Sequence, residues 1–114
     1  MRAITIQQPW ASLIMAGIKT VENRTWATSH RGRLAIHAGR KFDDEAIEIL
    51  RAAGIDPEPW LDAPRGVVLG TVELTDVVDY ASPDLFDPDV RTDPLANPIP
   101  AIGALGLWEA GAVE

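Results

Sequence analysis

Arg2-Ala3-Ile4-Thr5-Ile6-Gln7-Gln8-Pro9-Trp10-Ala11-Ser12-Leu13-Ile14-Met15-Ala16-Gly17 changes its period half-way, and that change decides the architecture. From Arg2 to Gln7 the residues alternate. Ile4 and Ile6 share one face and Thr5 and Gln7 the other, which is the mark of a half-buried strand. Pro9 then suits the first position of a helix, where its missing N–H costs nothing. Trp10, Leu13 and Ile14 recur at helical spacing, and Gly17 is placed to cap the helix end.

Working outward, Lys19 to Trp26 is rich in Thr and Val and reads as extended. Arg33 to His37 alternates again, with Leu34 and Ile36 inward and Arg33 and His37 opposite. The second helix, Asp43 to Gly54, has the clearest signals. Asp43 is a capping residue, Asp44 and Glu45 favour the first turn, and Gly54 ends the helix. Val67 to Val78 is expected to be a long strand, with Val68, Val72, Leu74 and Val78 on one face. Gly70 inside it points to a bend or a close backbone approach. Residues 81–103 hold five prolines and four aspartates and are expected to be a long loop. Leu105, Leu107 and Trp108 offer a last short strand. The connection from Trp26 to Arg33 is too short for a helical crossover, so the strands there are expected to be antiparallel. The fold class expected is α+β: a small mixed β-barrel of five to six strands with two main α-helices, forming one domain over residues 1–114.

Composition narrows the function classes. The chain has 114 residues, 46% of them hydrophobic and 24% charged, as in an ordinary globular domain. There is no cysteine, which excludes disulfides, thiolate metal sites and a cysteine nucleophile. The apolar runs are too short to span a membrane and the start does not read as a signal peptide, so a cytoplasmic location is expected. Net charge is -7, but unevenly spread. Residues 1–41 carry seven positive charges against one negative, whereas residues 42–114 carry three against sixteen. The basic third is suited to an anion such as phosphate, while the acidic whole disfavours long nucleic acid.

No Gly-rich phosphate loop, Gly-x-Ser-x-Gly elbow or His-Glu-x-x-His motif is present. His30 and His37 stand seven apart with no cysteine nearby, so no metal site and no cofactor are expected. The chemistry concentrates between Gln7 and Trp26. Lys19 follows the Gly17 turn, Glu22 and Arg24 are two apart on one strand face, and Trp10 and Trp26 bracket the segment. Cations, a carboxylate and indole faces are what stack and hydrogen-bond a nucleobase beside phosphate. The same residues also read as core tryptophans and a structural Glu22–Arg24 pair.

Gln8-Pro9-Trp10-Ala11, together with Gly17-Ile18-Lys19-Thr20-Val21-Glu22-Asn23-Arg24, resembles the ASCH domain family of the PUA-like superfamily and its Gly-x-Lys-x-x-Glu-x-Arg signature. Gly32 to Ala38 and Gly66 to Leu74 resemble the strands that follow. The resemblance implies a barrel with a cleft beside its helices that binds RNA or a modified nucleotide or nucleoside. By position, Lys19, Glu22 and Arg24 would line the cleft, with Gln8, Pro9 and Trp10 on its rim and Trp26 and His37 as further contacts.

Some small ASCH proteins are amidohydrolases that deacetylate N4-acetylcytidine with a lysine, a threonine and a glutamate. Lys19 matches that lysine, but Glu22 stands in place of the threonine. Three readings follow. The first is a binding module. The second is a small hydrolase or nuclease with Lys19 as base or nucleophile and Glu22 orienting water or shuttling a proton. The third is a protein-interaction module using the 81–103 loop.

Overall fold

The computed structural model describes residues 1–19, 28–74, 92–103 and 106–113. Their elements are β1 (Arg2–Gln8), α1 (Trp10–Met15), β2 (Gly32–Phe42), α2 (Glu45–Ala52), a single 3-10 turn (Glu58–Trp60), β3 (Val67–Leu74), β4 (Thr92–Pro100) and β5 (Leu107–Glu109). The strands form one mixed sheet in the order β4-β3-β2-β1-β5.

Among the described residues this sheet stays open, with β4 and β5 as its edges, so the expected closed barrel is not what forms. The described residues are α+β, with five strands and two helices, in line with the expected class. β1 and β2 run parallel, while β2–β3, β3–β4 and β1–β5 are antiparallel. The strand expected over Lys19 to Trp26, with its antiparallel pairing to Arg33–His37, lies outside the described residues but for Lys19.

Both faces of the sheet are covered. Ile4, Ile6, Leu34, Ile36, Ala38 and Leu69 meet Ala11, Ile14 and Met15 of α1 on one face. Ala3, Ala35 and Val68 meet Val113, with Leu95, Ile99 and Trp108 packed round them, on the other. A helix of six residues has little stability of its own. α1 persists because Ala11, Leu13, Ile14 and Met15 are buried.

Both helices end as the glycines foretold. Gly17 at φ 76° and Gly54 at φ 77° take the left-handed conformation that glycine adopts without penalty. The N–H groups of Gly17 and Ile18 bond to the carbonyls of Ile14 and Leu13, and those of Gly54 and Ile55 to Arg51 and Leu50. Each is the paired 5→2 and 6→1 closure of a Schellman end.

β3 departs from the expected alternation. Leu69 is an extra residue opposite the Ile36–His37 step, so the faces exchange along the strand. Val68 therefore packs on the face opposite Val72 and Leu74. Gly70 sits at this bulge, and a Cβ there would lie 2.5 Å from the Asp93 carbonyl oxygen and 2.8 Å from Pro94 Cα. Val78 lies outside the described residues.

The expected loop over 81–103 is corrected over Thr92–Pro100, while 101–103 carry no regular structure. β4 is a strand despite Pro94, Pro98 and Pro100. It lies at the sheet edge, where a residue without an N–H can be accommodated. Its ladder also slips between Val68 and Gly70, whose partners are Ile99 and Pro94. Residues 81–91 lie outside the described residues.

Candidate functional site

The link between β1 and α1 is built around a buried amide. Gln8 is fully buried, and its peptide bond to Pro9 is cis. Gln8 Oε1 accepts from the Ser12 N–H at 3.0 Å, while Nε2 donates to Ser12 Oγ at 2.8 Å and to the Pro64 carbonyl at 2.6 Å. One side chain thus holds the first turn of α1 to the β2–β3 connection. Pro9 is also fully buried. Both residues lie beneath the surface rather than on a rim.

Trp10 is only partly buried, and its indole is fixed in orientation. Nε1 donates to Asp43 Oδ2 at 2.8 Å, across 33 residues of chain. The other oxygen of that carboxylate accepts from the Glu45 N–H at 3.1 Å, at the start of α2. Asp43 thus works one position ahead of the helix cap and ties the two helices together. Lys19 brings its ammonium to 5.8 Å from the centre of the Trp10 ring, within cation–π range. Its backbone N–H is held by the Leu13 carbonyl at 3.1 Å, as part of the α1 end. Lys19 is only 6% exposed. Glu22, Arg24 and Trp26 lie outside the described residues.

His37 occupies the opposite face of the sheet. Thr5 and His37 are direct partners in the parallel β1–β2 ladder, on the face alternate to Ile4, Ile6 and Ile36. Thr5 Oγ1 is 3.0 Å from His37 Nδ1, and His37 Nε2 is 2.7 Å from the Ala101 carbonyl. A carbonyl only accepts, so Nε2 carries a proton. In the neutral ring Nδ1 then accepts from the Thr5 hydroxyl. Trp108 Nε1 in turn donates to Thr5 Oγ1 at 3.0 Å, and the two rings meet edge to face at 5.3 Å. His37 is 2% exposed, with both ring nitrogens engaged.

The structure therefore brings Trp10 and Lys19 together and places His37 apart from them. The basic residues are spread in the same way. Arg33 stands at one end of β2 and Arg40 and Lys41 at the other, roughly 20 Å apart at the rise of an extended strand. Among the described residues no group of three or more His, Cys, Asp or Glu side chains is placed to hold a metal ion. No helix among them is long and apolar enough to cross a membrane.

Sequence reasoning missed Thr5, Asp43 and Trp108 as partners in these networks. Only that Thr5 and His37 each lie opposite the apolar face of their own strand was visible beforehand. The joined strand, helix and turn carrying Gln8, Trp10 and Lys19 are what the family comparison tests, and the ASCH domain family matches residues 4–91. The chain belongs to this family. Two curated relatives are similar to it: Activating signal cointegrator 1 of Homo sapiens is 44% identical over 96 residues, and that of Mus musculus 40% identical over 96. Each match covers 79% of this chain but 16% of the relative. The chain thus corresponds to a small part of those longer proteins.

Proposed function

We propose that this ASCH domain binds RNA or a modified nucleotide beside Trp10 and Lys19, with Glu22 and Arg24 as further contacts and no chemistry performed. The observation that carries this reading is the Lys19 ammonium held beside a Trp10 ring whose orientation Asp43 fixes. An oriented indole offers a base a stacking surface, and the adjacent cation offers attraction to phosphate or to base acceptors. Membership of the ASCH family supports the same ligand class. That the relatives are named signal cointegrators leaves the ligand open, because the chain corresponds to only 16% of them.

The test is a thermal-shift screen of single-stranded RNAs, nucleotides and nucleosides, N4-acetylcytidine included. A ligand at 100 times its Kd stabilises the fold by about 2.7 kcal/mol. The reading expects stabilisation by at least one RNA or nucleotide, with that ligand recovered intact. Cleavage of RNA or deacetylation of N4-acetylcytidine would replace it with the hydrolase reading. No stabilisation by any member of the screen would count against both.

A further inference from the structure

The face of the sheet opposite Trp10 and Lys19 holds a second feature that the proposed function does not use. A cavity of about 280 Å³ opens there, with Thr5, His37 and Gly39 among its walls and Arg40, Ile102 and Gly103 round it. It lies where the ladders slip. Between Ile6 and Gln8, β1 advances two residues while its partner β2 advances four, from Ala38 to Phe42. The β2–β3 ladder slips one level away, between Ile36 and His37. Register slips of this kind re-aim side chains and are over-represented beside functional sites.

The walls and the mouth differ in chemistry. The side-chain polar atoms of Thr5 and His37 are engaged with one another, with Trp108 and with the Ala101 carbonyl. Gly103 closes over them, and a Cβ there would overlap Thr5 Oγ1 and lie 2.7 Å from His37 Nδ1. The mouth is cationic. Arg40 is exposed, and its Nε is 4.0 Å from where a Cβ of Gly66 would sit. The β2–β3 ladder ends at Ala38 and Val67, and the Arg65 guanidinium beyond it lies 5.2 Å over the Phe42 ring, so Arg40 is the cation that lines the cavity. Among the described residues the ion pair is that of the N-terminus with Glu109, and it does not involve Arg40. Ile102 is 85% exposed on the lip, a large apolar side chain open to contact.

We infer that this cavity is a second binding site, for a phosphomonoester whose phosphate is held by Arg40 and whose neutral part enters the cavity under Ile102. A guanidinium fork matches phosphate oxygens two at a time, which a point charge does not. The site is independent of the Trp10–Lys19 reading, because it occupies the other face of the sheet.

Backbone and indole ¹H–¹⁵N spectra separate the two faces. Trp108 N–H reports the cavity through Thr5, and Trp10 N–H reports the opposite face through Asp43. Titration with a nucleoside 5′-monophosphate is expected to shift the Gly103 amide and the Trp108 indole, in Lys19→Met as in the parent, and any movement of the Trp10 indole reports the other face alone. The unphosphorylated nucleoside should bind at least tenfold more weakly. Arg40→Gln should also weaken binding at least tenfold, with the melting temperature held because the side chain is exposed. A 5′-phosphorylated oligoribonucleotide run in parallel assigns the source: tighter binding marks an RNA end, weaker binding a free nucleotide. Shifts confined to Trp10, no shifts at millimolar ligand, or equal affinity in Arg40→Gln would overturn the assignment. Lys19→Met leaves this site intact, so its failure and that of the Trp10–Lys19 site are read separately.

Discussion

Trp10 and Asp43 join the two helices through one hydrogen bond, Nε1 to Oδ2 at 2.8 Å. The carboxylate is shared, since its second oxygen receives the Glu45 N–H. Both bonds are charge-assisted, and losing a carboxylate acceptor leaves an indole donor and a backbone donor without it. Asp43→Ala is expected to cost about 1–3 kcal/mol in urea unfolding. Asp43→Asn, which keeps one carbonyl oxygen, should lose less than half of that. Equal losses in the two variants would show that the charge, not the acceptor, holds the indole.

His37 joins β1, β2 and the segment before β5 through Thr5, Ala101 and Trp108. Removing the ring leaves a buried carbonyl and a hydroxyl short of partners. His37→Ala should destabilise by about 2–4 kcal/mol, the sum of a cavity and an unmet acceptor. His37→Gln, able to donate to Ala101, should recover part of it. Denaturant midpoints of the two variants check this, and a loss under 1 kcal/mol in His37→Ala would contradict it.

Gly70→Ala tests the bulge in β3. The added methyl meets backbone, the Asp93 carbonyl oxygen and Pro94 Cα, as well as Met15 Cε at 2.5 Å. Backbone cannot swing aside as a side-chain end can, so β4 must shift. The expected cost is about 1–3 kcal/mol, with amide exchange accelerated along residues 92–100. Unchanged exchange in β4 would place the strain elsewhere.

These outcomes also mark how far the sequence was legible. Period and punctuation are local signals, and where structure is set locally they read true: β1, the two helix ends at Gly17 and Gly54, and the close approach at Gly70. β4 escaped because its prolines mimic a loop, and only its edge position makes them acceptable. The face exchange in β3 escaped because one extra residue, Leu69, is decided by pairing with β2 and not by its own neighbours. At the site, Trp10 and Lys19 were singled out and do meet. The roles of Gln8 and His37 turned on contacts 56 and 64 residues away, to Pro64 and Ala101, which no spacing rule exposes.

Glu109 supplies a pH test at the sheet edge. The N-terminal ammonium donates to its carboxylate, and the Gly111 N–H adds a second bond at 3.2 Å. These hold its pKa below the ordinary glutamate range, the ammonium bond first. A carboxyl with a depressed folded pKa stabilises the fold above its unfolded pKa and loses that contribution as pH falls through the folded one. Glu109→Gln should therefore melt slightly lower than the parent at pH 7. The difference should vanish on acidification below the ordinary glutamate range. The effect is small because the group is exposed. A gap that widens on acidification would contradict the pairing.

The most direct test of the proposed RNA or nucleotide site is the salt dependence of single-stranded RNA binding by the parent and by Lys19→Met, using RNA without a terminal phosphate. Methionine keeps much of the packing of a side chain that is 6% exposed and removes only the charge. The account predicts an affinity at least tenfold weaker in Lys19→Met. It also predicts a plot of log affinity against log salt that is shallower by about 0.7 if the ammonium meets one phosphate. Equal affinity and equal slope in the two proteins, both folded, would contradict it and leave Lys19 and Trp10 as a structural brace at the end of α1.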